Sequence, residues 1–160
     1  MKFYRYRPEV SGDYGENTVY IGKRSDHPRV VTHLHYEFCY WPEDDMLACL
    51  FHFIGTERLK VALEGVSPPL TGIAFDQVEI SGDNQEFRRV ERKGRPDSAL
   101  GKWYWFKITG KPGVDDFGLA TTAKLVISER VVEVLKNFVV INPSRKITEY
   151  SMEIEDTVRN

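Results

Sequence analysis

The sequence contains one motif twice, and the distance between the two copies limits the folds that the chain can adopt. TERLKVAL begins at Thr56 and SERVVEVL begins at Ser128, an offset of 72 residues. At this offset the segment 43–66 aligns with 115–138 without a gap. Six aligned pairs are identical, namely Asp44/Asp116, Leu47/Leu119, Ala48/Ala120, Glu57/Glu129, Arg58/Arg130 and Leu63/Leu135. This repetition favours two halves with the same local structure.

Each copy of the motif has the features of a helix start. Thr56 and Ser128 carry the side-chain hydroxyl that an N-cap uses to accept a hydrogen bond from an unpaired amide of the first turn. Glu57 and Glu129 then place a negative charge beside the positive end of the helix dipole. Apolar residues follow at helical spacing, at Leu59, Ala62, Leu63 and Val66 and at Val131, Val134, Leu135 and Phe138. The motif therefore predicts two amphipathic helices packed on a sheet and needs no catalytic explanation.

Segments of strand character surround both helices. ACLFHFI and AKLVI precede the helices, HLHYEFCYW and KWYWFKI lie further upstream, and GIAFDQVEI follows the first helix. An acidic turn precedes each helix-proximal strand, so the repeated unit reads as strand, acidic turn, strand, helix and strand. The sequence thus predicts an α+β fold in which two amphipathic helices pack on a mixed or antiparallel sheet. We expect a single domain over 1–160, with half-repeats at about 33–80 and 103–150 and a connecting loop at 81–101.

The strand around Trp103 has aromatic residues on both of its faces. Trp103 and Trp105 share one face, and Tyr104 and Phe106 share the other. We interpret this pattern as a strand buried on both faces, with an exposed interaction patch as the alternative.

Composition places the chain among ordinary globular proteins. Of its 160 residues, 41% are hydrophobic and 29% are charged, and the net charge is −2, too small to indicate a nucleic-acid or acidic partner by itself. No apolar segment approaches the roughly 18 residues that a membrane span needs. Cys39 and Cys49 are expected to be free thiols in a cytoplasmic protein.

One strand offers a candidate metal site. His33, His35, Glu37 and Cys39 alternate along HLHYEFCYW and should share one face. At most two of them could bind the same ion, so the other ligands would have to come from elsewhere, for example from His52. The alternative is a half-exposed strand with its polar side in solvent.

The acidic turns and the connecting loop are the other candidate sites. Glu43, Asp44 and Asp45 form the first turn, and Asp115 and Asp116 form the second. Their carboxylates could serve in acid–base chemistry, could stabilise the turns, or could form an exposed acidic rim that meets a basic partner. The basic residues of the 88–95 loop, which could bind phosphate or nucleic acid or could simply be solvated, are Arg88, Arg89, Arg92, Lys93 and Arg95. The enzymatic motifs GxGxxG, GxxxxGK, HExxH and GxSxG are absent from the sequence.

Three segments in combination resemble a known family. WPEDDML, FIGTERLKVALEGVSPPLTGIAFDQVEI and WYWFKITGKPGVDDFGLATTAKLVISERVVEVL resemble a bacterial family first catalogued as a domain of unknown function and later grouped with the immunity proteins of polymorphic toxin systems. The shared marks are an acidic pair after a tryptophan, a (T/S)ER helix start, an LTGxxFDxVEI strand and a GxDDFGL segment. The resemblance covers Leu34 to Phe138.

The resemblance implies a small cytoplasmic protein without a cofactor that binds and blocks a cognate toxin, for example one delivered by type VI secretion. On this reading the acidic turns and the neighbouring tryptophan meet a basic cleft of the toxin. The candidate contact residues are Trp41, Glu43, Asp44, Asp45, Asp115 and Asp116. Two alternatives remain, a metal-dependent enzyme using His33, His35 and Cys39, and a nucleic-acid-binding module using the 88–95 loop.

Overall fold

The part of the chain that the structure describes contains two α-helices and strands in four sheets. The computed structural model describes residues 1–23, 25–26, 30–83, 85, 87–120, 124–138 and 146–151. Thirteen strands and two α-helices lie within these residues, which confirms the predicted α+β class. The parts of the second predicted half-repeat at 121–123 and 139–145 lie outside the described residues.

The first four-stranded sheet contains the strands that flank the first copy of the motif in the chain. Its strands are β6 (Met46–Cys49), β7 (His52–Thr56), β10 (Trp103–Ile108) and β8 (Ile73–Gln77), in that spatial order. Helix α1 (Glu57–Glu64) follows β7 directly and leads to β8. Because β10 is antiparallel to both β7 and β8, those two strands are parallel to each other with β10 between them. The unit is a split β-α-β arrangement with β6 added at its edge.

The second four-stranded sheet repeats this arrangement around the second copy. Its strands are β11 (Phe117–Leu119), β12 (Leu125–Ser128), β1 (Phe3–Tyr6) and β13 (Ile147–Glu149), in that order. Helix α2 (Glu129–Leu135) follows β12 directly. Strand β1 is antiparallel to both β12 and β13 and lies between them, as β10 does in the first sheet.

The central strands β1 and β10 are structural counterparts. The N-cap Thr56 pairs with Trp103, and the N-cap Ser128 pairs with Phe3. The first amide of each helix donates to the lysine carbonyl just before the central strand, at 3.1 Å from Glu57 to Lys102 and 2.9 Å from Glu129 to Lys2. The counterpart of KWYWF is therefore KFYRY at residues 2–6.

This correspondence corrects the predicted repeat unit. HLHYEFCYW was expected to match KWYWFKI, but its strand β5 (His35–Phe38) lies in a separate sheet between β2 (Gly12–Tyr14) and β9 (Glu79–Gly82). Strand β5 is antiparallel to β2 and parallel to β9. The remaining strands, β3 (Val19–Ile21) and β4 (Val30–His33), form a two-stranded antiparallel sheet. The central strands are thus exchanged, because β1 completes the second sheet and β10 completes the first.

Three of the predicted strands are interrupted. ACLFHFI turns back at Leu50 and Phe51 to give the β6–β7 hairpin. GIAFDQVEI divides at Val78, since β8 pairs with β10 while β9 pairs with β5. HLHYEFCYW divides at Leu34. None of the three breaks contains a glycine or a proline, so the sequence gives no local turn signal there.

Strand β10 is buried on both faces. Trp103 and Trp105 are each 5% exposed and belong to one apolar cluster, whereas Phe106 is fully buried in another. The cluster around Phe106 takes residues from both sheets and both helices, including Leu59 and Val131. The two-sided core predicted for this strand is confirmed, and the two halves share one core.

Both predicted helix starts are confirmed. The Thr56 hydroxyl accepts a hydrogen bond from the Leu59 amide at 3.3 Å, and the Ser128 hydroxyl accepts one from the Val131 amide at 3.4 Å. Each helix buries residues of its predicted apolar stripe. The fully buried members are Leu59, Leu63, Val131 and Leu135.

The buried carboxylate of Asp45 binds two residues at the start of α1. The Thr56 hydroxyl donates a hydrogen bond to Asp45 Oδ1 at 2.6 Å, and Arg58 Nε donates to the same oxygen at 2.6 Å. The Asp45 carbonyl also accepts the Thr56 amide at 2.9 Å. One aspartate therefore holds the N-cap in place and pairs with the arginine of the TER motif.

Asp116 makes the equivalent contacts at the start of α2. The Ser128 hydroxyl donates to Asp116 Oδ1 at 2.6 Å, and Arg130 Nη1 donates to Oδ2 at 3.2 Å. The Ser128 amide donates to the Asp116 carbonyl at 2.9 Å. The hydroxyl residue and the arginine of each (T/S)ER sequence therefore both bind the aspartate of the preceding turn. This shared interaction explains why the sequence is repeated.

The acidic turns also connect the two halves to each other. Asp116 Oδ2 accepts the Thr71 amide at 3.0 Å, and Thr71 lies just before β8 of the first sheet. Asp44 Oδ2 accepts a hydrogen bond from Lys146, which lies just before β13 of the second sheet. Each acidic turn therefore contacts the beginning of the last strand of the opposite sheet. This shared role explains why the aligned positions 44 and 116 are both aspartate.

We expect the substitution Asp116→Asn to lower the free energy of unfolding by about 3 kcal/mol, because the half-buried Arg130 would lose the charge of its buried partner. An asparagine amide group would also face donors at Thr71 or Arg130. Urea denaturation of the purified variant measures the change. Glu16→Gln, which removes a charge from an exposed side chain, should stay within about 0.5 kcal/mol of the wild type. An Asp116→Asn protein as stable as that control would contradict this role for Asp116.

Candidate functional site

The carboxylates of the acidic turns are less exposed than the sequence led us to expect. Asp44, Asp45 and Asp116 are only 4%, 6% and 5% exposed, and all three bind internal partners. The expectation that they form an exposed acidic rim is corrected, since their carboxylates are consumed by the fold. Glu43 is exposed, and Asp115 is half-buried with its carboxylate accepting the Lys111 amide at 2.7 Å. These two remain candidate contacts for a partner.

The candidate metal-binding histidines meet a carboxylate that the sequence did not single out. His33 Nε2 lies 3.3 Å from Glu79 Oε1, and His35 Nδ1 lies 3.2 Å from Glu79 Oε2. His35 is 5% exposed, and its Nε2 is 2.7 Å from the Ser81 hydroxyl. Both nitrogens of His35 are therefore engaged in contacts that join β5 to β9. Glu79 and Ser81 were missed because parallel pairing of β5 with β9 leaves no mark in the local sequence.

Of the other proposed ligands, Cys39 has an environment that does not favour metal binding, and His52 has a tyrosine as the partner of one ring nitrogen. Burial, with a contribution from nearby Asp83, raises the pKa of the Cys39 thiol to about 11, which disfavours the thiolate that a metal requires. His52 Nδ1 lies 2.6 Å from the Tyr14 hydroxyl. Within the described ranges, no three His, Cys, Asp or Glu side chains are grouped so that they could hold a metal ion. The metal hypothesis thus has no ligand set in this part of the chain.

A tryptophan and the basic loop form a site at the surface. Trp41, Glu43, Glu91, Lys93 and Arg95 line a surface cavity of about 330 Å³, and we call these five residues the Trp41 cluster. The guanidinium carbon of Arg95 lies 4.6 Å from the centroid of the Trp41 ring, a cation–π distance. The structure therefore brings together two candidate regions that lie far apart in the sequence.

The Trp41 ring rests on a buried phenylalanine. The Trp41 and Phe87 rings stack with their centroids 5.6 Å apart and their planes 5° from parallel. Phe87 is 1% exposed and also packs against Phe38 of β5. It begins a π-helical turn, Phe87–Glu91, which is closed by a hydrogen bond from the Arg92 amide to the Phe87 carbonyl at 2.7 Å. The tryptophan is thus held against the core rather than left free to rotate.

A tight turn returns the basic loop to Trp41. The Arg95 amide donates to the Arg92 carbonyl at 2.8 Å, and the two residues between them have positive φ angles. These are Lys93 at 46° and Gly94 at 76°. Positive φ at both central residues is the geometry of a type I′ turn, which glycine adopts freely and lysine adopts at a cost. The turn places Arg95 beside the tryptophan and exposes Lys93.

The basic loop is therefore not a uniform positive patch. Arg88 and Arg89 are exposed on the π-helical turn, whereas Arg95 is engaged with Trp41. Two acids, Glu43 and Glu91, line the same cavity as the basic residues. A phosphate-binding surface would be weakened by those carboxylates. The contact of Trp41 with Arg95 was missed because the two residues lie far apart in sequence and no periodicity links them.

No protein-family model matches this chain, and a comparison with curated proteins found no matching relative. Among the helices of the described residues, none is both long and apolar enough to cross a membrane. The family resemblance of the sequence therefore continues as a proposal.

The stability of the protein should depend on pH through His52. Burial lowers the pKa of His52 from 6.5 to about 4, so the folded state binds its proton less readily than the unfolded state does. Its contribution to stability is fully present above pH 6.5 and is lost as the pH falls toward 4. We expect the free energy of unfolding of the wild type to fall more steeply across this interval than that of His52→Gln.

Urea denaturation at a series of pH values measures both slopes. Protonation of carboxylates affects the two proteins alike, so the difference between the slopes isolates the histidine. Parallel slopes would contradict the lowered pKa of His52.

Proposed function

We propose that this protein is an immunity protein, which binds a cognate bacterial toxin and blocks it without catalysing a reaction. The Trp41 cluster is the principal contact surface in this proposal. The observation that carries it is a half-buried tryptophan, stacked on Phe87 and in contact with Arg95, at the rim of a surface cavity. The sequence resemblance to immunity proteins of polymorphic toxin systems supports the same function.

The composition of the cluster suits a protein partner. Tryptophan and arginine are the residue types that most often contribute large binding energies at protein interfaces. Because Trp41 is already held by Phe87, it would lose little conformational entropy on binding. The remaining exposed area of the ring can then contribute to affinity.

The charges around the cluster suit selection of one partner. Glu43 and Glu91 contribute negative charge, and Lys93 and Arg95 contribute positive charge, around one cavity. Such a mixed pattern rejects partners whose charges do not match and fixes the orientation of the one that does. Glu43 retains the role proposed for the acidic turns, which is to meet a basic region of the toxin. Asp44, Asp45 and Asp116 would support binding only by holding the fold.

The proposal is tested by co-expression with the toxin candidates encoded beside this gene and by calorimetry with the purified pair. Trp41→Ala and Arg95→Ala should each weaken binding by about 2 kcal/mol, or roughly 30-fold in Kd, and should reduce the protection of growth. Tyr40→Ala is the matched control, since Tyr40 is an exposed neighbouring aromatic residue that does not line the cavity.

Thermal unfolding of each variant separates lost binding from lost folding, because Trp41 also contacts the core. Wild-type affinity in both folded Trp41 and Arg95 variants would refute the proposed surface. Failure of the wild-type protein to bind or protect against any of the neighbouring toxins would refute the proposed function.

A further inference from the structure

A second surface depression lies where the two sheets meet. It is a groove of about 420 Å³ beside the end of β1 and the β6–β7 hairpin. Its floor is apolar and comes from both sheets, with Tyr6, Ala48, Phe53 and Leu125 all buried. Val10 and Leu50 stand at its sides and are 62% and 67% exposed. We call this depression the Leu50 groove.

The charge around the Leu50 groove has one sign. Arg5, Arg7 and Lys124 line it, and no acidic residue does so in the described part of the chain. Among the described residues, Arg7 and Lys124 have no side-chain hydrogen bond or ion pair, whereas Asp45 and Asp116 at the helix starts are paired with arginines. Two cations at an apolar groove thus lack a counter-charge from the residues that the structure describes.

Leu50 occupies a backbone conformation that does not suit it. It is the first residue of the two-residue turn between β6 and β7, and its φ angle is +49°. Hairpin turns of this length usually place glycine, asparagine or aspartate at such a position. An exposed leucine therefore costs energy in both its backbone and its solvation, and strain of this kind is concentrated at binding sites.

We propose that the Leu50 groove binds an acidic segment of a protein partner, with a bulky apolar side chain of that segment inserted between Leu50 and Val10. The carboxylates of the segment would pair with Arg7 and Lys124. This inference does not depend on the immunity function, because it rests on the charge and shape of the groove alone.

The shape of the site favours a peptide segment over a lipid surface. A concave floor of buried side chains accepts an inserted side chain, whereas a membrane surface needs a protruding apolar face. The groove also adjoins the Trp41 cluster. Glu9, which precedes Val10, accepts the Glu43 amide through its carboxylate at 3.2 Å. One partner could therefore contact both surfaces.

The test uses isotope-labelled full-length protein titrated with the N-acetylated hexapeptide EDLFED and followed by NMR chemical shifts. We expect the shifts to concentrate at residues 5–10, 48–53 and 124–125. Lys124→Glu should weaken binding by roughly tenfold through charge repulsion. Leu50→Gly should weaken it by about fivefold through loss of apolar contact, while the melting temperature stays equal or rises because the turn strain is relieved.

Three results would overturn the inference. The charge-reversed peptide KKLFKK could bind as well as the acidic one, or the shifts could lie away from the groove. Alternatively, vesicles of anionic lipid could bind the wild type and not Leu50→Gly while the acidic peptide caused no shifts, which would assign the groove to a membrane. Val61→Ala is the matched control, since Val61 is an exposed aliphatic residue on α1 and should leave peptide binding unchanged.

Discussion

Buried aspartates hold the two halves of this protein together, and the remaining architecture depends on their hydrogen bonds. Asp116 alone accepts bonds from the N-cap Ser128, from Arg130 and from Thr71 of the other half. In the first half two aspartates share these contacts. Asp45 binds the N-cap Thr56, and Asp44 binds Lys146 of the other half. A carboxylate buried this deeply is stable only when its oxygens are satisfied. Asp116 needs Thr71 of the other half for this, and Asp44 needs Lys146. The two halves are therefore coupled in folding.

The two halves also exchange their central strands, since β1 lies in the second sheet and β10 in the first. The position of the Trp41 cluster depends on the segment that leads to β10. Strands β8 and β10 are adjacent and antiparallel, and the segment that connects them includes β9 and the basic loop. Strand β9 pairs with β5, and Trp41 follows β5 closely. The parallel pair thus brings the loop of 87–95 beside the tryptophan. The segment between β8 and β10 therefore supplies the basic side of the candidate binding surface.

The sequence predicts those features of this fold that depend on neighbouring residues. The helix caps at Thr56 and Ser128 and the two-sided burial of Trp103 and Phe106 follow from local chemistry and periodicity, and both are confirmed. The equivalence of KFYRY and KWYWF was missed because each strand lies in the sheet of the other half. The stacking of Trp41 with Arg95 was missed for the same reason, since only tertiary structure brings them together. The acidic turns were found, but burial changes their interpretation from contact surface to internal support.

The buried aspartates support the fold, and the Trp41 cluster is the proposed recognition surface. Hydrogen–deuterium exchange tests that division most directly. Amide exchange would be measured for the protein alone and in complex with a toxin encoded beside its gene. We expect the strongest added protection at residues 41–43 and 87–95, with little change at the amides of 115–117, which lie in the turn whose buried aspartate supports the fold. Strong new protection elsewhere, with exchange at 41–43 and 87–95 unchanged, would contradict it.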